Sequence, residues 1–67
     1  MIQSGNTIAS ALASLGLSQY LQPLLNEGFD DWNAFLDITE NDMVQIGIKL
    51  GHRRKLQLFI TQYWGQR

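Results

Sequence analysis

Glycines at positions 16, 28, 47 and 51 cut the chain into short pieces, and the apolar residues between them recur at helical rather than alternating spacing. Thr7 stands where an N-cap belongs, ahead of Ile8, Ala11, Leu12 and Leu15, and Gly16 closes that segment. Ser18 is placed to cap a second helix with the stripe Tyr20, Leu21, Leu24 and Leu25. Pro23 fits that helix only in about its first turn, and Gly28 suits its C-terminal end. Asp30 or Asp31 can start a very short third helix running through Leu36, with Trp32, Phe35 and Leu36 inward. Thr39 and Asp42 have capping-box spacing ahead of Met43, Val44 and Ile46, and Gly47 ends that fourth helix. Beyond Gly51 the longest helix is expected over about His52 to Trp64, with Leu56, Phe59, Ile60 and Tyr63 on one face. No stretch alternates as a strand would. The pattern predicts an all-α fold, a small five-helix bundle with a long C-terminal helix. Residues 1–6 read as a disordered N-terminal tail, 7–64 as the domain and 65–67 as a short C-terminal tail.

With 67 residues the chain is one small domain near the lower size limit for folding without staples. There is no cysteine, and one histidine cannot build a metal site alone, so the core must hold by apolar packing. A hydrophobic content of 45% with two Trp, two Tyr and three Phe can supply it. No histidine–nucleophile pair, phosphate loop or paired buried carboxylates can be assembled, which argues against an enzyme. No cofactor, metal or small-molecule substrate is implied. The chain lacks a run of about 18 apolar residues and the charged and apolar regions of a signal peptide. The expectation is an intracellular module, cytoplasmic or nuclear, excised from a longer protein, with no membrane partner.

Charge is sharply divided along the chain. All six acidic residues, Glu27, Asp30, Asp31, Asp37, Glu40 and Asp42, precede all five basic ones, Lys49, Arg53, Arg54, Lys55 and Arg67. The net charge of −1 therefore conceals two patches that can attract each other between molecules if the fold keeps them apart. On the expected helix boundaries, Arg53, Arg54 and Lys55 fall in the first turn of the last helix, where the helix dipole disfavours cations. A local rule broken without structural gain points to binding. Helical geometry turns Arg54 away from the core and Lys55 to one side, making these two the better partner contacts, with Arg53 partly packed. His52 falls inward and reads as a packing residue. Leu50, apolar between Lys49 and Gly51, can serve as the centre of the basic patch. On the acidic side Asp30, Asp31 and Asp37 surround the third helix, with Glu27 and Asp42 at the margin. Capping accounts for part of this set, and Trp32 among them reads as core.

Three stretches resemble one family. Leu15-Gly16-Leu17-Ser18-Gln19-Tyr20 is similar to the first turn of a sterile alpha motif (SAM) domain. So is Ile38-Thr39-Glu40-Asn41-Asp42-Met43 followed by Ile46-Gly47-Ile48. The third, Leu50-Gly51-His52-Arg53-Arg54-Lys55-Leu56, looks like the family's GHR-x-x-I/L start of helix five. The resemblance covers about residues 7 to 64. One departure is Ala11-Leu12 where many SAM domains carry Trp-Leu, and Trp32 is expected to fill the missing volume. The resemblance implies a five-helix bundle that associates with other SAM domains. One domain's mid-loop surface, here Glu27, Asp30, Asp31, Asp37 and Asp42, would meet another's end-helix surface, here Lys49, Leu50, His52, Arg53, Arg54 and Lys55. It implies homo-oligomers or helical polymers in a signalling scaffold or gene regulator, or pairing with a different SAM domain.

The basic stretch is also similar to SAM domains that bind RNA hairpins and often read LGARRKL. Phosphate binding needs a broad cationic surface, whereas helices one and two contain no base and the pI is about 5.5. Protein association is therefore the favoured expectation.

Overall fold

The computed structural model describes residues 7–65, so the expected tail at 1–6 lies outside the described residues, as do residues 66–67. The order is α1 (Ile8–Leu15), a 3-10 turn (Ser18–Tyr20), α2 (Leu21–Asn26), α3 (Trp32–Leu36), α4 (Glu40–Ile46) and α5 (Leu50–Gly65). No strand occurs among the described residues. The all-α, five-helix expectation matches this architecture.

Local chemistry explains most boundaries. Thr7 caps α1 by accepting the Ser10 amide at 3.0 Å. Of the two aspartates able to start α3, Asp31 does so, accepting the Ala34 amide at 2.7 Å. Thr39 and Asp42 form the reciprocal capping box, the Asp42 amide donating to Thr39 Oγ1 and the Thr39 amide to Asp42 Oδ2. Pro23 is the third residue of α2, where its missing N–H removes no intrahelical bond.

Three helix ends turn on a left-handed glycine, Gly16 (φ 75°) after α1 among them. Gly28 (φ 93°) and Gly47 (φ 92°) reverse the chain so that the next amide bonds back five residues, Phe29 to Leu24 at 2.9 Å and Ile48 to Met43 at 3.0 Å. Each reversal returns an apolar side chain to the body of the domain: Ile48 is buried and Phe29 half-buried against the core. Leu17 does the same after α1 and is fully buried.

Ser18 does not cap the second helix. It opens the 3-10 turn, whose preceding residue Leu17 makes no side-chain cap. Burial of Leu17 pulls that turn inward and supplies the reason. Helix five also starts earlier than expected, at Leu50, with Gly51 inside its first turn. The Arg53 amide bonds Lys49 O at 2.8 Å, and glycine at the second helical position sacrifices little because amides there have no intrahelical partner.

Leu12, Leu24, Phe35 and Leu56 form the centre of the core, joined by Ile8, Ala11, Tyr20, Leu36, Ile38 and Met43. Leu25 and Val44 were expected on buried stripes but are exposed. Helices of six and seven residues bury a narrower stripe than the full apolar pattern suggests. Trp32 is half-buried and packs against the core, its ring 5.5 Å from Phe35, 6.4 Å from Phe59 and 5.8 Å from Tyr63. It thereby joins α3 to the second half of α5.

Candidate functional site: two charged faces

The basic face is built on the junction between α4 and α5. Lys49 is exposed just before α5, and Leu50, the first residue of that helix, is 55% exposed. The phenol of Tyr20 anchors this junction, lying 2.6 Å from His52 Nδ1 and accepting the Lys49 amide at 3.3 Å. His52 is half-buried against the Tyr20 ring, the packing role expected of it.

The cations divide into two kinds. Arg53 is largely committed within the domain: Nε donates to Glu40 Oε2 at 2.9 Å and Nη1 to Ile48 O at 2.8 Å. Lys55 is exposed, yet its Nζ donates to Leu15 O at 2.9 Å, at the C-terminal end of α1. A cation there complements the negative end of that helix. Lys55, expected with Arg54 among the better partner contacts, thus also has a bond within the domain. Lys49 and Arg54 remain as exposed cations on either side of Leu50 in sequence. The dipole argument changes as well. Because α5 begins at Leu50, Arg53, Arg54 and Lys55 lie beyond its first three residues, and the dipole effect falls off within the first turn.

The acidic candidates do not share one place. Glu27 and Asp42 line a pocket of about 320 Å³ together with Phe29, Gln45 and Ile46. Asp30 instead borders a second groove of similar volume, beside Ile8, Leu25 and Trp32. Asp31 and Asp37 are exposed at opposite ends of α3, Asp31 as its cap and Asp37 just past its last residue. Phe29 and Gln45 were absent from the sequence-based set. Phe29 carried a signal, since an apolar residue directly after a helix-ending glycine commonly packs back on that helix. Gln45 carried none.

Glu40 was also left out of both sets, and the fold brings it to the basic side. It accepts from Arg53 and, through its other oxygen, from Gln57 Nε2. The Gln57 hydrogen bond, then the Arg53 hydrogen bond and charge, hold the Glu40 carboxyl below its ordinary value, with Arg54 adding to the attraction. No group of three or more His, Cys, Asp or Glu able to hold a metal occurs among the described residues. No described helix is long and apolar enough to cross a membrane.

Comparison with known proteins agrees with this architecture. The SAM domain (sterile alpha motif) family matches residues 3–63. Caskin-1 of Rattus norvegicus is 41% identical over 56 residues, covering 82% of this chain and 4% of the relative. Caskin-2 of Homo sapiens is 42% identical over 52 residues, 76% of this chain and 4% of the relative. Phosphatidylinositol 3,4,5-trisphosphate 5-phosphatase 2B of Danio rerio is 32% identical over 59 residues, 87% of this chain and 5% of the relative. The chain thus spans about a twentieth of these curated relatives, or less. No solved structure matches it at a significant level. Helix order, capping pattern and a family match across nearly the whole chain make it a member of the sterile alpha motif family, whose domains are protein–protein interaction modules.

Proposed function

We propose that this domain self-associates head to tail, Leu50 with Lys49 and Arg54 from one copy meeting the pocket of Glu27, Phe29, Asp42 and Ile46 on another. The observation that carries the reading is the match between these features. One side offers an exposed leucine flanked in sequence by exposed cations, and the other a mixed pocket in which Phe29 and Ile46 lie beside two carboxylates and Gln45. Apolar contact supplies the centre of such an interface and the charges supply orientation and steering. The two faces use different residues, so the contact is heterologous and either closes into a ring or propagates as a helical polymer. The whole protein is best read as an intracellular signalling scaffold or gene regulator in which the domain sets assembly.

An interface between single faces of so small a domain falls at the low end of interface sizes and is salt-sensitive, since charges are screened over about 8 Å at physiological ionic strength. Sedimentation at several protein and salt concentrations tests it, with Glu27→Lys and Arg54→Glu as the charge reversals. Asp31 and Lys55 are left unchanged, because each has a bond to maintain inside the domain. Each reversal should block assembly, and an equimolar mixture should recover dimers and nothing larger. A wild-type domain that stays monomeric at high micromolar concentration and low salt overturns the proposal.

A further inference from the structure

Glu40 is the acidic residue that the fold turns against the basic face rather than toward the acidic pocket. Its carboxylate is held by two side chains of α5. Arg53 Nε lies 2.9 Å from Oε2, and Gln57 Nε2 donates to Oε1. The pair is not sealed from a partner, because the Glu40 side chain is 52% exposed against 18% for Arg53. Arg53 meanwhile spends two of its three nitrogens inside the domain, on Glu40 and on Ile48 O. A carboxylate approaching Arg54 therefore meets a fixed negative charge beside the cation next in sequence.

We infer that Glu40 is a built-in counter-charge that sets how tightly the basic face holds a carboxylate-bearing partner, a second copy of this chain above all. The inference rests on the head-to-tail reading for its partner, but its geometry is independent of it. An exposed ion pair of this kind adds little to stability and is screened by salt, so its main effect falls on association. Removing a like charge from the rim of a charged interface raises the association rate and steepens its salt dependence. Glu40→Gln keeps a hydrogen-bonding side chain for Arg53 and Gln57 while deleting the charge.

The test uses copies with one working face. A Glu27→Lys copy, with or without Glu40→Gln, is titrated calorimetrically against an Arg54→Glu copy at about 25 mM and about 300 mM salt. Glu40→Gln should tighten the pair roughly three- to tenfold at low salt, and the gain should shrink to less than about twofold at high salt. Gln57→Ala, which frees one carboxylate oxygen but keeps the charge, should shift the affinity less than about twofold. Unchanged or weaker binding by Glu40→Gln overturns the inference, as does a gain that persists undiminished at high salt. Glu40→Ala must move affinity in the same direction, and an opposite sign also overturns it. If the pair with Glu40 intact does not bind, the head-to-tail reading fails instead. The counter-charge is then read with an oligo-aspartate peptide, following the amide signals of Lys49 to Lys55 by NMR. Tighter binding by Glu40→Gln supports the inference and equal binding overturns it.

Discussion

The Tyr20 hydroxyl lies 2.6 Å from His52 Nδ1 and also accepts the Lys49 amide at 3.3 Å, so one side chain from the first half of the chain locates the start of α5. A phenol oxygen has one proton and two lone pairs, so it can bond the Lys49 amide and the His52 ring together. Leu50 sits between the two residues so anchored. Tyr20 is therefore a positioning residue for the proposed interface, acting from a buried site.

Tyr20→Phe keeps the ring and deletes the latch. It should destabilise the domain by about 1–2 kcal/mol, since His52 and the Lys49 amide lose a partly buried partner. Urea unfolding measures this, and sedimentation should show weaker association at unchanged net charge. An unaltered urea midpoint would show that the latch contributes nothing.

Asp31 separates capping from charge. Asp31→Ala should cost about 1 kcal/mol through loss of the bond to the Ala34 amide, while Asp31→Asn should retain most of that stability. Both remove the same charge. Equal unfolding midpoints for the two variants would deny the cap its role.

Leu17 and Leu25 make a paired test of burial. Leu17 is fully buried in a turn, so Leu17→Ala should cost about 2–5 kcal/mol and threaten folding of so small a domain. Leu25 is exposed, and Leu25→Ala should stay within about 0.5 kcal/mol of wild type. Thermal melts of the two variants decide the matter, and a reversed order would contradict the core described above.

Glu40 fixes the sign of one pH effect. Its carboxyl is held below the ordinary value of 4.5, so the stability it contributes is fully present above that value. That contribution disappears as pH falls from the unfolded-state value through the lowered folded one. The difference in urea midpoint between wild type and Glu40→Gln should be constant from neutrality to about pH 5 and then shrink with acidification. A difference that grows on acidification would reverse the assignment.

Particular residues show why some features could be read without coordinates. Thr7, the Thr39–Asp42 pair, Gly28 and Gly47 act through bonds spanning at most five residues, so their positions in the chain carry the information. The start of α5 was misplaced because it depends on Tyr20, which lies 29 residues before Lys49. The internal bonds of the cations were illegible for a related reason. Lys55 reaches a carbonyl 40 residues away and Arg53 a carboxylate 13 residues away, and no local pattern announces either bond.

The five-helix architecture, the caps at Thr7 and Thr39 and the division of acidic from basic residues along the chain are legible in the residue order. These follow from local hydrogen bonding and from the periodicity of apolar side chains. Which charges are tied up inside the domain depends on how the helices pack. The fold committed Arg53, Lys55 and Asp31 to bonds within the domain, set Glu27 and Asp42 around one pocket, and placed Glu40 against the cations. The physical reason is that a side chain's availability depends on what the rest of the chain brings within hydrogen-bonding reach.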